Sequence, residues 1–209
     1  MGINYKFQTL TNLNKYSNKN LKTGFYNSLI LFGEQNKNWN SNTSNYLLGQ
    51  RANFNVINPE SQIEMLKRIK KFSYEIAKKK GKVLYVNEST NNKFDGIVKF
   101  FSYKAGQVFI VGRWPCGFIT KNNSLEIAVI LLFNPSKSHF PIKEANKLGI
   151  PLISFNDLNT NVLKTMYPLV LNNLEGNSVF FSSLVLSNSI LEGKLFEFTK
   201  KISKEFKTI

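Results

Sequence analysis

The chain has 209 residues, 42% of them hydrophobic, which is enough to bury a core and is most simply one domain. Its 28 Lys and Arg face only 13 Asp and Glu, a formal charge of +15 whose self-repulsion a polyanion relieves, so nucleic acid is the first candidate partner and anionic lipid the second. One Cys excludes an internal disulfide framework, and one His leaves no cluster of ligands for a structural zinc or other metal.

Lysine outnumbers arginine 25 to 3, and 28 asparagines accompany 18 phenylalanines. These residue types share A/T-rich codons, so the composition points to a genome of low G+C content, such as an organelle's, and weakens any single Asn or Lys as a signal. Residues 1–28 read as a basic, Asn-rich N-terminal extension, and residues 29–209 as a single α/β domain with a basic C-terminal helix. No acid precedes Glu34, as in a transit peptide, yet arginine is absent from that stretch. MGINYK has lysine where a myristoylation signal wants Ser or Thr. No apolar run approaches the length expected of a bilayer span.

In chain order, FNVIN (54–58) is the first predicted strand. Asn58 and Pro59 supply an N-cap and a first-turn proline for a helix in which Ile63, Leu66, Ile69, Phe72 and Ile76 recur at helical spacing, with Gly81 as its left-handed exit. KVLYV (82–86) is the next strand, residues 91–105 a helix weakened by Gly96, and QVFIV (107–111) a third strand. LEIAVILLF (125–133) is hydrophobic without interruption, which implies burial on both faces of a parallel sheet. KEANKLG (143–149) makes a helix stopped by Gly149, and PLISF (151–155) a fifth strand. Residues 176–206 form a last helix, apolar at Val179, Phe180, Leu184 and Leu186 and then basic from Lys194 to Lys207, whose front half should pack on the sheet. Strands alternating with helices mean right-handed crossovers and a three-layer sandwich around a mainly parallel five-stranded sheet.

Ligands of such folds collect at the carboxyl ends of the strands. The exits NESTNN after Val86, INPES and FNPSKS contain no glycine-rich turn and no GK[ST] signature, so neither standard mode of nucleotide binding is expected. Proton transfer needs positioned carboxylates or histidine, and the chain has two aspartates, Asp95 and Asp157. Asp157 ends the fifth strand, where a phosphoacceptor or metal ligand would sit, but one acid makes neither site, and bonding the backbone of the turn NDLNTN is its expected role. His139 has no nucleophile signature near it and is expected on the surface or at a cap. Cys116, between Pro115 and Gly117, is expected as a small residue in a tight turn. No cofactor and no small-molecule substrate is anticipated.

Cations, amides and aromatics are plentiful where acids are missing. Residues 36–55, NKNWNSNTSNYLLGQRANFN, interleave amides with Lys37, Trp39, Tyr46 and Arg51, a mixture that supplies phosphate charge, hydrogen bonds to sugars and flat faces for unpaired bases. Codon bias does not produce tryptophan, so Trp39 and Trp114 weigh more, each suited equally to sealing a core or stacking on RNA.

Taken in order, these motifs resemble the small-subunit ribosomal protein S-two family in its bacterial and organellar form. LFGEQNKNWNS keeps Phe32, Gly33, Gln35, Trp39 and Asn40 of that family's His-Phe-Gly-His-Gln and Trp-Asn-Pro, and YLLGQRANFNVIN follows its Tyr-Ile-Phe-Gly-x-Arg-Asn and apolar strand. KKGKVLYV is similar to Lys-Gly-Lys-Ile-Leu-Phe-Val. GRWPCGFITKN preserves Arg113, Trp114, Gly117 and Thr120 of Arg-Trp-Leu-Gly-Gly-Met-Leu-Thr-Asn, and IKEANKLGIPLISFNDLN, the most specific block, matches Ile-Lys-Glu-Ala-x-x-Leu-Gly-Ile-Pro followed by Val-Asp-Thr-Asn. MYPLVLNN sits where Tyr-Pro-Ile-Pro-Gly-Asn-Asp is expected, and the resemblance spans about residues 29 to 190.

The resemblance implies a flavodoxin-like (Rossmann-like) α/β domain without flavin. It also implies a structural constituent of the small ribosomal subunit, not an enzyme, that binds small-subunit ribosomal RNA and neighbouring ribosomal proteins near the head and body junction. RNA contacts are then expected at Lys37, Trp39, Asn40 and Arg51, and at Arg113, Trp114 and Lys121. Lys78, Lys79 and Lys80 form a weaker second patch, since a lysine cluster at a helix end also completes the helix dipole. Departures are Leu31 and Glu34 in place of two histidines, Ser41 for a proline, Val170 and Leu171 for a Pro-Gly turn, and only KNNS after Thr120 where the family inserts a long helical hairpin. Composition and the trimmed hairpin favour a mitochondrial ribosome, with a plastid ribosome as the alternative location. The competing function is an α/β enzyme or cofactor-binding domain that happens to be basic. A membrane-surface protein would need a more amphipathic basic helix than residues 176–206.

Overall fold

The computed structural model describes residues 23–24, 31–35, 39–88, 93–121, 126–173 and 175–205. Three short strands, β1 (Phe32–Gln35), β2 (Leu47–Arg51) and β3 (Phe54–Ile57), form an antiparallel sheet in the order β1-β3-β2, with a 3-10 turn at Ser41–Tyr46. Helix α1 (Pro59–Lys78) leads into β4 (Lys82–Asn87), α2 (Asp95–Ala105), β5 (Val108–Val111), the single turn α3 (Phe118–Lys121), β6 (Ile127–Leu132), α4 (His139–Leu148), β7 (Leu152–Asn156), β8 (Tyr167–Val170) and the 30-residue α5 (Gly176–Glu205). The last five strands make a parallel sheet in the order β5-β4-β6-β7-β8, the flavodoxin-like arrangement in which the chain steps outward once and then reverses.

The expected count of five parallel strands holds, but one member differs. FNVIN pairs antiparallel with β1 and β2 in the small sheet, and the fifth parallel strand is YPLV at 167–170. That strand is four residues long and contains Pro168, which is tolerated because β8 is an edge and pairs with β7 alone. The small sheet joins the body through Ile57, which packs with Leu158, Val162 and Val170.

Alternation along β4 sets the layers. Val83 and Tyr85 face α1, α2 and α5 together with Val129, Leu131 and Phe155, while Leu84 and Val86 face α4 and the loop before α3 together with Ile130, Leu132 and Leu152. The first layer is thick, and its tightest seam runs between α1 and α5. A Cβ at Gly193 would stand 2.5 Å from the Tyr74 carbonyl oxygen and 2.8 Å from Ala77 Cβ, so only bare backbone lets the helices approach this closely. Buried serines in α5 are each satisfied by a carbonyl, Ser182 by Ser178 at 2.9 Å and Ser189 by Lys70 across the seam at 2.5 Å. Over Gly176–Lys201 this helix is long and apolar enough to cross a bilayer, and 61% of its most apolar window is buried inside the fold, so core packing accounts for its hydrophobicity.

Two helix boundaries depart from expectation. The left-handed residue after α1 is Lys80 (φ 64°), not Gly81, whose role is steric: a Cβ there would lie 2.8 Å from Ala128 Cβ. Helix α4 starts at His139, earlier than residue 143, with Pro141 in the first turn where backbone N–H groups lack helical partners anyway. The N-terminal extension, apart from Thr23 and Gly24, lies outside the described residues.

Gly193→Ala should destabilise the protein by about 1–3 kcal/mol in urea denaturation, because overpacking outweighs the ~1 kcal/mol that Ala ordinarily gains over Gly inside a helix. A stability equal to or above the parent's would show that the α1–α5 seam has slack.

Candidate nucleic-acid interface

After β5 the chain crosses the carboxyl edge of the sheet. Gly112 takes φ 82°, Arg113 points outward, and Trp114 turns inward to 2% exposure among Leu84, Val86, Ile119, Ile130, Leu132 and the α4 residues Ile142 and Ala145. Its Nε1 donates to Glu144 Oε1 at 3.0 Å, the Gly117 N–H donates to the same oxygen at 2.6 Å, and the Ile119 N–H reaches Glu144 Oε2 at 3.3 Å. One α4 carboxylate therefore gathers three donors and clamps the loop. Trp114, one of the residues expected to contact RNA, is a core plug, its ring set edge-on to Phe118 at 5.6 Å. What the buried tryptophan achieves is to leave Arg113, Cys116 and Lys121 exposed around it.

Glu88, at the end of β4, lies beneath the same loop. Burial raises its pKa, and the Trp114 backbone N–H and the nearby His139 charge pull in the opposite direction without cancelling that effect. His139 itself is exposed at the first position of α4.

The second part of this edge is built by the small sheet. The Asn40 N–H donates to Leu158 O at 2.9 Å and Thr43 Oγ1 to the same carbonyl at 3.0 Å, which fixes the 3-10 turn over the exit of β7. Asn40 spends its side chain as an N-cap, accepting from the Asn42 N–H at 3.0 Å, and Asn42 Nδ2 reaches Asn161 Oδ1 at 3.4 Å. Trp39 precedes this cap and is 40% exposed. The β2–β3 hairpin turns through Ala52 (φ 49°) and Asn53 (φ 65°), two positive-φ residues in succession as a tight hairpin requires, and presents Arg51 to solvent. Asn40, with Trp39 before it, thus stands by the exit of β7, Arg113 and Lys121 lie in the segment that follows β5, and Arg51 is exposed at the tip of the β2–β3 hairpin.

Two further acids of this edge are bonded within the fold. Asp157 Oδ1 accepts from the Asn173 N–H at 2.8 Å, holding the segment after β8, and Asp95 accepts from Asn87 Nδ2 at 2.7 Å. Among the described residues no group of three or more His, Cys, Asp or Glu is placed to hold a metal.

Lys78, Lys79 and Lys80 are not part of this surface. They span the end of α1 and the turn that leads into β4, so they sit at the amino edge, the opposite end of the sheet. There Lys78 Nζ lies 3.7 Å from Glu75 and 4.9 Å over the Phe196 ring, and Lys80 pairs with Glu197 at 2.9 Å. Lys37 lies outside the described residues. Glu144 and Glu88 do not stand out in the sequence; Glu144 falls inside the IKEANKLG block, yet nothing in its spacing announces donors more than twenty residues upstream.

The domain is flavodoxin-like, with exposed cations and an exposed indole outside its parallel strands, and its family is one of structural proteins. The chain is a member of the ribosomal protein S2 family: the family model described as Ribosomal protein S2 matches residues 26–129 and 123–193. It is 25% identical over 231 aligned positions to the small ribosomal subunit protein uS2 of Ehrlichia chaffeensis, covering 88% of this chain and 78% of that protein. It is 24% identical over 214 positions to the uS2 of Colwellia psychrerythraea, covering 79% and 88%, and 22% identical to that of Rickettsia massiliae, covering 78% and 72%.

Glu144→Ala should cost about 2–4 kcal/mol, since it strands the buried Trp114 N–H and two backbone donors, and should expose Trp114 to a fluorescence quencher. Because the fold disfavours ionised Glu88, its contribution to stability declines as pH rises from the ordinary unfolded value of about 4.3 through the raised folded value; Glu88→Gln should flatten that decline in denaturant midpoints measured from pH 4 to 7.

Proposed function

We propose that the protein is a structural constituent of the small ribosomal subunit and that the carboxyl edge of its sheet binds small-subunit ribosomal RNA. Family membership places it among structural ribosomal proteins, and the alternative of a flavodoxin-like enzyme finds no support in the relatives. What supports the RNA reading is the exposure of Arg51, Arg113, Lys121 and Trp39, together with Glu144 and Asp157 being already bonded within the fold. Arg supplies bidentate phosphate contacts, Lys point charge, and the half-exposed indole a face for an unpaired base. Asn40, committed as a cap, would act by holding Trp39 in place. Lys37, two residues before Trp39 in sequence, is a further candidate cation for the same RNA.

Neighbouring small-subunit proteins are the second class of partner. The reading that this chain lacks the family's helical hairpin is supported by the few residues between α3 and β6, by a family match in two segments that overlap at residues 123–129, and by an Ehrlichia alignment over more positions than this chain has residues. Contacts made through such a hairpin would fall to another protein. The A/T-driven composition supports a mitochondrial ribosome, with a plastid ribosome as the other location that composition allows.

Binding of the purified chain to a small-subunit ribosomal RNA transcript should weaken steeply between about 50 and 200 mM salt. Arg51→Gln with Arg113→Gln should lower the slope of log affinity against log salt by about 1.5, at roughly 0.7–0.9 for each phosphate left without its cation. Affinity that stays level across this range would exclude the proposal.

A further inference from the structure

The sheet has a second cationic surface at its far end, and the helix lengths explain why. Helix α5 begins beside the carboxyl edge, where the preceding Asn173 donates to Phe133 O at 3.1 Å, and reaches the amino edge at Lys194, whose Nζ donates to Ala105 O at 2.7 Å and Gly106 O at 2.8 Å. Its remaining residues run past the strands, because a 30-residue helix is about 45 Å long whereas a six-residue strand spans about 20 Å. The overhang meets the end of α1. Together they line an open groove with Lys78, Lys79, Lys80, Phe196, Lys200 and Lys201, continued by Lys82 and Phe198.

A helix-dipole role covers lysines in the last turn of α1 but not those contributed by β4 and α5, so the convergence of three elements needs another reason. Two acids that flank the groove are paired locally, Glu75 with Lys78 and Glu197 with Lys80. Lys79, Lys82 and Lys201 are exposed beyond them. Phe196 and Phe198 are 44% and 61% exposed, the latter on a helix whose apolar face is already buried in the core. Lysines around projecting rings match a single-stranded polyanion that offers both phosphates and flat bases.

We propose that this amino edge is a separate RNA-binding surface, so that the protein holds two segments of ribosomal RNA at opposite ends of one sheet. The proposal rests on the RNA-binding function above and adds a second site to it. The sheet and the α1–α5 pair then act as a rigid spacer between the two segments.

The test uses the full chain and a fluorescent uridine octamer, with stoichiometry read by native mass spectrometry and affinity by anisotropy. The parent protein should take up two octamers. A variant carrying Lys79→Gln, Lys200→Gln and Lys201→Gln should take up one and lose about 2 from its salt slope, and Arg51→Gln with Arg113→Gln should lose the other octamer. Phe198→Leu, on an exposed position that leaves the melting curve unchanged, should weaken the amino-edge octamer about fivefold or more. If the lysine variant still binds two octamers with the parent's slope, the second site does not exist. If it binds two octamers but loses a glutamate octapeptide that the parent retains, the surface serves an acidic protein, and the proposal is overturned. Failure of the parent to bind any octamer or ribosomal transcript would instead sink the RNA-binding function itself.

Discussion

A parallel sheet must be covered on both faces, and here the two covers are unequal. Three long helices, α1, α2 and α5, bury one face, whereas the other has α4, the single turn α3 and a loop. The thin side is completed by driving Trp114 into it and holding the loop with Glu144. That one carboxylate decides where everything nearby points: with the indole inward, Arg113 and Lys121 have only solvent to face. The packing requirement and the display of charge are therefore one arrangement, and loosening the clamp would blur both.

The same economy governs the asparagines. Their abundance reflects codon composition, yet many are bonded within the fold: Asn40, Asn58 and Asn161 accept from backbone N–H groups at helix starts, and Asn87 and Asn173 tie strand exits to neighbouring segments. A chain drifting toward Asn retains it cheaply at caps and turns, where a short side-chain carbonyl replaces a missing backbone partner.

Much of the fold was legible because its long elements obey one period each. Ile63, Leu66 and Ile69 mark α1, and the unbroken run around Val129 marks a doubly buried strand. The misassigned elements were short. FNVI and YPLV have four residues apiece, too few for alternation to reveal which sheet they join, and Pro168 hid an edge strand. Of the candidate site residues that the family-like motifs single out, Trp39, Arg51 and Arg113 take exposed positions. Which tryptophan faces inward was not readable, because it depends on Glu144, thirty residues away in sequence, and separation of the lysine cluster from the other candidates depends on the direction of α1 relative to the sheet.

Cell fractionation addresses the core of this picture most directly. An epitope-tagged full-length chain in its native organism, followed through a sucrose gradient of cell lysate, should travel with the small ribosomal subunit at low magnesium and with whole ribosomes when subunits are joined. Persistence at the top of the gradient under both conditions, with no trace in any ribosomal particle, would contradict the assignment.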